Sequence, residues 1–253
     1  MILRYVGSKQ AIYKKIIPHF PEHKNFISFN VGSGGMFFNK RPIAKYNFLN
    51  DIDDNISNLF KVILLKKNEF KNVLETIPYH QGIWNWLKKT DFTDDIMKAI
   101  KFLYLNNFGF FGLDGTLKIE CRTSLKTAIS RIEKTFKFLN EHNCQFLTKD
   151  FRNVLKSISL TNKKDSFIYS DPPYLGSNER ISYQKGWAVS DSIDLLDISV
   201  NCGINMAISE FDNSIIIKLA KERKLNIIPI TKRKNIRNMR TEILITNYKL
   251  ENK

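Results

Sequence analysis

The sequence predicts an α/β fold on three observations. Short apolar runs recur in the first and last thirds of the chain, stretches of helical spacing separate them, and the first run leads into a glycine loop. At the amino end, Asn25-Phe26-Ile27-Ser28-Phe29 reads as a strand, Gly32-Ser33-Gly34-Gly35 as a loop, and Met36-Phe37-Phe38 as a helix opening. A second strand, Tyr46-Asn47-Phe48-Leu49, runs into Asn50-Asp51-Ile52-Asp53. Residues 54–68 then carry Ile56, Leu59, Phe60 and Ile63 at helical spacing, so a parallel βαβ unit is the expected start. The same grammar returns at Phe167-Ile168-Tyr169, Met206-Ala207-Ile208, Leu225-Asn226-Ile227-Ile228 and Glu242-Ile243-Leu244-Ile245-Thr246, which would complete one sheet. The middle differs. Trp84, Trp86, Leu87, Ile96, Ile100, Leu103 and Leu105 suggest helices, and Phe108 to Arg122 is rich in glycine and aromatics. The expected division is a domain made of residues 1–65 and 149–253, interrupted by a mainly helical module at 66–148.

A chain of 253 residues, 43% hydrophobic and 26% charged, can bury a core without disulfide staples and is far from a disordered or low-complexity profile. No apolar run approaches the roughly 18 residues a membrane helix requires, and the amino terminus has no hydrophobic signal region. Cys121, Cys144 and Cys202 are widely separated and cannot all pair internally, which suits a reducing, cytoplasmic setting and structural thiols. Lysine and arginine number 40 against 25 aspartates and glutamates, a formal charge of +15. That excess attracts a polyanion, with nucleic acid the leading partner; solubilising surface lysine is the alternative, and charge by itself names no chemistry.

The chemistry is carried by Asp171-Pro172-Pro173-Tyr174. It follows the strand Ile168-Tyr169-Ser170, and its two prolines force a rigid, extended loop at the strand's carboxyl end, the edge where open α/β sheets bind ligands. Such a loop suits methyl transfer to an exocyclic amine, whose lone pair is delocalised into its heterocycle and is a poor nucleophile. The Asp171 carboxylate and the Pro172 carbonyl would hold the two amino hydrogens and favour a tetrahedral nitrogen. Tyr174 would give an extruded base a ring to stack on. The bland reading is a proline-stiffened turn with a buried tyrosine.

Gly32-x-Gly34 alone is a weak signal, because glycines after strands often make only tight turns. Asp51, however, lies 19 positions after Gly32 at the end of the next strand, the usual place of an acidic residue that accepts ribose hydroxyls. Nicotinamide and flavin nucleotides fit that spacing too. S-adenosylmethionine also accounts for the Asp-Pro-Pro-Tyr loop and the basic charge.

Across nearly its whole length the chain resembles the Dam-type (D12 class) adenine-specific DNA methyltransferases. Arg4-Tyr5-Val6-Gly7-Ser8-Lys9 is similar to that family's amino-terminal element, which implies that Tyr5 and Lys9 belong to the cofactor site. Asn50 to Asp53 resembles the ribose-binding segment and singles out Asp51, while Lys149-Asp150-Phe151 resembles the element flanking the cofactor adenine. Asp171 to Tyr174 matches the catalytic tetrad, Tyr183-x-x-x-Trp187 an aromatic pair in the loop behind it, and Thr241 to Asn247 the closing strand. The resemblance implies a Rossmann-like S-adenosylmethionine-dependent methyltransferase sheet with an inserted target-recognition module. The implied reaction is N6 methylation of adenine in double-stranded DNA by base flipping, with Asp171, Pro172 and Tyr174 catalytic and Lys9, Gly32, Gly34, Asp51, Phe151 and Asp171 around the cofactor. Two departures stand out. Ser28, Phe29 and Asn30 replace the acidic residue, proline and phenylalanine before the family's glycine loop, and Phe108 to Lys118 follows the recognition hairpin only loosely, so no target sequence carries over.

Lys232-Arg233-Lys234, Arg237 and Arg240 form a dense run suited to phosphates, with a solvated loop as the alternative. Lys118, Arg122, Lys126 and Arg131 lie near the expected hairpin and are candidates for groove or backbone contacts with DNA. His19, His23, His80 and His142 match no metal-ligand spacing, and no metal is expected. N4 of cytosine offers a similar amine that the tetrad alone does not exclude. A rival from another class is a binding or recognition subunit on an inactive methyltransferase scaffold. A restriction endonuclease acting separately is compatible with the resemblance, and a membrane partner is not expected.

Overall fold

A computed structural model describes residues 2–3, 7–109, 117, 125–175, 187–234 and 239–249. The amino-terminal strap carries a 3₁₀ turn at Lys9–Ala11, a short helix α1 (Tyr13–Ile16) and a second 3₁₀ turn at Ile17–His19. There follow β1 (Asn25–Ser28), β2 (Tyr46–Asn50), α2 (Asp54–Leu65), α3 (Lys67–Thr76), α4 (Gln81–Lys89), α5 (Asp95–Phe108), α6 (Leu125–Glu141) and β3 (Asn143–Leu147). The rest comprises α7 (Phe151–Val154), β4 (Ser166–Ser170), α8 (Val189–Asn201), β5 (Asn205–Phe211), α9 (Ser214–Glu222), β6 (Asn226–Lys234) and β7 (Met239–Thr246).

The strands form one sheet in the order β3-β2-β1-β4-β5-β7-β6. β1, β2, β3, β4 and β5 pair in parallel, and β7 runs antiparallel to both β5 and β6. This is the doubly wound order with a reversed strand inserted near one edge. Every residue of β1 and β4 is buried, as expected of central strands covered on both faces. Alternation sorts their side chains into two cores. Phe26, Phe167, Tyr169, Ala207 and Leu244 face one layer with α2 to α6, while Ile27, Ile168, Met206, Ile208, Ile243 and Ile245 face the other with α7, α8 and α9. The result is a three-layer α/β/α molecule.

Local sequence accounts for the helices on the first face. Asp53 caps α2 by accepting from the Asn55 amide at 3.0 Å, and Ile56, Leu59, Phe60 and Ile63 form its buried stripe. Asp94 caps α5 through the Met97 amide at 2.8 Å. From the far end of α5, the buried Asn107 amide donates to the Ile2 carbonyl at 2.9 Å and ties down the strap.

Two expectations are corrected. The helix expected at Met36-Phe37-Phe38 is a single 3₁₀ turn, Phe37–Asn39, because Pro42 follows closely and the residue before a proline disfavours helical backbone. The boundary at 148 falls one strand late: β3, inside 66–148, pairs with β2 as the sheet's edge. The helices of that segment also share one apolar core with the sheet, since Trp84, Leu87, Tyr104 and Phe108 belong to the cluster that contains Phe26 and Phe60. They build a layer of the main domain. Most of the expected hairpin, Phe108 to Lys118, lies outside the described residues, although Gly109 and Leu117 pair across it as an antiparallel bridge.

Candidate active site

The carboxyl ends of β1, β2, β3 and β4 converge, and one side chain holds three of them. The buried Asn50 amide donates to the Phe29 carbonyl and to the Lys149 carbonyl, both at 2.9 Å, and its oxygen accepts from the Lys149 amide at 2.9 Å. Beside it Asn30, one of the departures noted in the sequence, accepts from the Ser170 hydroxyl at 2.7 Å. It therefore joins the end of β1 to the residue before the tetrad.

The glycine loop leaves β1 in a turn closed by the Gly34 amide on the Val31 carbonyl at 2.8 Å. Gly34 sits at φ +74°, and a Cβ there would lie 2.4 Å from the Phe38 ring, so both backbone and packing demand glycine. Asp51 clamps the loop from β2. Its carboxylate accepts the Gly32 amide at 2.8 Å and the Asp53 amide at 3.1 Å. Burial pushes the Asp51 carboxyl up to about 6, against the pull of those amides. The Ile52 amide acts on it as well, and a carboxylate has about four acceptor positions, so acceptor capacity remains for a donor such as a ribose hydroxyl.

The tetrad leaves β4 directly. The Asp171 carboxylate, 22% exposed, meets the Lys9 ammonium at 2.5 Å, and Lys9 itself is only 3% exposed. The same ammonium lies 3.6 Å from Glu242 and 4.7 Å from the centre of the Tyr174 ring. The Tyr174 hydroxyl donates to Glu242 at 2.5 Å, and its ring meets Phe211 edge-on at 4.7 Å between centroids. Behind the loop, Glu210 accepts the Leu175 amide at 3.2 Å. Burial, and then the nearby Glu242, raise the Asp171 carboxyl above the usual carboxylate range, which Lys9 opposes. Burial also raises the Tyr174 phenol and pushes Glu210 up to about 8.

The structure thus brings together Lys9, Gly32, Gly34, Asp51, Asp171, Pro172 and Tyr174 at one sheet edge. The sequence reading put Lys9 beside the cofactor. Its strap does touch the glycine loop, the Ser33 hydroxyl donating to Ser8 at 3.3 Å, but its charge is committed to Asp171 and Glu242. The physical reason is that a buried ammonium requires counter-charges. Phe151 is buried, its ring tilted against Trp187 with centroids 5.3 Å apart and capped by the Arg152 guanidinium at 4.4 Å. Tyr5 and Tyr183 lie outside the described residues.

Of the basic residues, Lys126 is exposed at the start of α6 and Lys232 on β6; Arg233 and Lys234 also lie on β6, while Lys118, Arg122 and Arg237 fall outside the described residues. The β6–β7 pair roots this run beside the tetrad: Arg233 pairs with Arg240, whose guanidinium lies 5.9 Å from the Phe211 ring that packs on Tyr174. Among the described residues no group of His, Cys, Asp and Glu is arranged to hold a metal, and no helix is long and apolar enough to cross a membrane.

Three partnered charges around this edge of the sheet were missed in the sequence. Glu210 and Glu242 each lie close to the apolar run of a central strand, Met206 to Ile208 and Ile243 to Ile245, and both are buried, a placement that requires partners for the charge. Arg152 links α7 to α8 through Asp150, Asp191 and Asp194, which the sequence gave no means to pair.

The chain is similar to proteins of one family along most of its length. The family described as D12 class N6 adenine-specific DNA methyltransferase matches residues 5–239. The chain is similar to the DNA adenine methylase of Vibrio cholerae, 25% identical over 248 residues that span 89% of this chain and 86% of that one. It is 30% identical over 192 residues to the DNA adenine methylase of Haemophilus influenzae, covering 68% of this chain and 63% of that one. To the DNA adenine methylase of Escherichia coli it is 21% identical over 250 residues, covering 90% and 86%.

Proposed function

The chain belongs to the D12 class of N6 adenine-specific DNA methyltransferases, and on that footing we propose that it methylates adenine within a defined site of double-stranded DNA, on a base extruded into the Asp171–Tyr174 loop. The observation that carries this reading is the tetrad itself, which leaves β4 beside the glycine loop of β1 and the Asp51 clamp of β2.

S-adenosylmethionine, the methyl donor of this family, supplies an electrophilic methyl group when bound. The donor set fits it: Asp51 keeps acceptor capacity for a ribose hydroxyl, and the loop at Gly32 and Gly34 passes without side chains. Lys9, Ser8 and Phe151 border that region in our assignment. Catalysis then rests on holding the adenine. One Asp171 oxygen is taken by Lys9, so the other and the Pro172 carbonyl accept the two amino hydrogens and localise the nitrogen lone pair. The two prolines fix that carbonyl before the base arrives, so it pays no reorganisation cost. Tyr174 is held by its hydroxyl and leaves ring surface for stacking.

Lys232, Arg233 and Lys234, on the strand that pairs with Arg240 beside Phe211, are assigned to phosphates near the extruded base, and Arg237, outside the described residues, is assigned with them by its place in the sequence. Lys118, Arg122 and Lys126 are assigned to the duplex together with the rest of the segment from residue 66 to the start of β3, which we assign to target recognition.

Transfer of labelled methyl from S-adenosylmethionine to unmethylated genomic DNA, followed by nucleoside analysis, tests the reading. N6-methyladenine is expected with wild type and not with Asp171→Ala. N4-methylcytosine would move the assignment to the other exocyclic amine, and tight DNA binding without any methylated nucleoside would replace catalysis with a binding role.

A further inference from the structure

Glu242 stands out because it is a charged side chain with 0% exposure on a strand whose neighbours Ile243, Leu244 and Ile245 form the core. A carboxylate survives such a place only when charges and donors surround it. Here they belong to the catalytic loop and the strap: the Tyr174 hydroxyl at 2.5 Å and the Lys9 ammonium at 3.6 Å. Lys9 in turn grips Asp171 at 2.5 Å. The register places Glu242 opposite Phe211, the ring that supports Tyr174 edge-on, and next to Glu210, which accepts the amide of Leu175 just past the tetrad.

We propose that Glu242 is a positioning residue of the methyl transfer: its buried carboxylate fixes the Tyr174 hydroxyl directly and the Asp171 carboxylate through Lys9. It touches no substrate. One side chain on β7 thereby sets the orientation of both groups assigned to the adenine, although they lie at opposite ends of a four-residue loop. The inference rests on the function proposed above.

Steady-state methyl transfer to saturating unmethylated genomic DNA, with S-adenosylmethionine varied, tests it in wild type, Glu242→Gln, Tyr174→Phe and the double variant. Glu242→Gln keeps the shape and an acceptor but removes the charge facing Lys9. Its kcat is expected to fall on the order of 10- to 100-fold, since misplacement of catalytic groups by about 1 Å costs that much. The KM for S-adenosylmethionine should stay within about threefold, because the Asp51 clamp and the glycine loop are not touched. Tyr174→Phe removes only the hydroxyl, and the double variant should be no slower than the slower single one, as two parts of one linkage behave. A Glu242→Gln enzyme with wild-type kcat, a loss confined to KM, or losses that multiply in the double variant would overturn the inference while wild type still made N6-methyladenine. Should Glu242→Gln fail to fold, Tyr174→Phe decides alone, and a wild-type kcat there refutes the linkage. Wild type producing no N6-methyladenine would instead bring down the functional reading and this inference with it.

Discussion

Removing Lys9 is expected to harm the fold more than removing Asp171, its ion-pair partner, and the reason is charge arithmetic. With Lys9 at +1 and Asp171 and Glu242 at −1 each, the cluster carries −1. Asp171→Ala leaves Lys9 and Glu242 at a net zero, with the ammonium still 3.6 Å from a carboxylate. The loss is then one charge-assisted hydrogen bond, and the 22% exposure of Asp171 moderates it, so about 1–2 kcal/mol is expected. Lys9→Met leaves two carboxylates at a net −2 with their shared cation gone, the situation in which breaking a buried ion pair costs about 3–5 kcal/mol. At about 2–4 °C per kcal/mol for a domain of this size, Lys9→Met should lower the thermal midpoint by roughly 6–20 °C, against a few degrees for Asp171→Ala. Calorimetric unfolding at neutral pH reads both. Repeating the scan at acid pH should narrow the Lys9→Met deficit, because protonating Asp171 removes the repulsion. If Lys9→Met proves as stable as Asp171→Ala, Lys9 is not the counter-charge of this cluster.

Two further outcomes follow from local geometry. Gly34→Ala combines a left-handed backbone at φ +74°, worth about 1–2 kcal/mol, with a Cβ 2.4 Å from the Phe38 ring. Overpacking there adds about 1–3 kcal/mol, because Phe38 is hemmed in by Phe37, Phe60 and Phe138; the urea midpoint should fall with an unchanged slope, and a shift under about 0.5 kcal/mol would contradict the geometry. His23 donates from Nδ1 to the Pro21 carbonyl at 2.7 Å and packs on Phe167, and burial, aided by Lys40, lowers its pKa from 6.5 to about 4. The native state therefore resists a proton that the unfolded chain accepts, so stability contributed by His23 is intact above pH 6.5 and declines, by up to about 3 kcal/mol, as the pH falls to about 4. His23→Phe should flatten that limb of a stability-against-pH curve; an unchanged limb would show that other groups produce it.

What the sequence alone determined is what depends on neighbours in the chain. Strands β1, β4, β5 and β7 were legible because burial on both faces demands continuous apolar runs, and β2 and β6 because enough of their residues meet a core. The Asp-Pro-Pro-Tyr loop was legible because two prolines dictate their own backbone, and the Gly32–Asp51 pair because the end of one strand and the start of the next fix its spacing. Edge strand β3 was not, since Asn143 and Gln145 are exposed, Cys144 only partly covered, and Phe146 and Leu147 alone are buried in it. For the same reason the 66–148 segment looked separate: its helices are amphipathic in any setting, and only packing revealed that they share the sheet's core.

The charges of the site belong wholly to the tertiary structure. Lys9 and Asp171 stand 162 residues apart, and Tyr174 and Glu242 stand 68 apart. The sequence singled out Lys9, Asp171 and Tyr174 in separate motifs and read Glu242 as part of a closing strand, with nothing to pair them. Their meaning lies in burial, which makes an unpaired ion so costly that strap, tetrad and closing strand must assemble around one another, and the sheet order that places β7 beside β5 is what lets them meet.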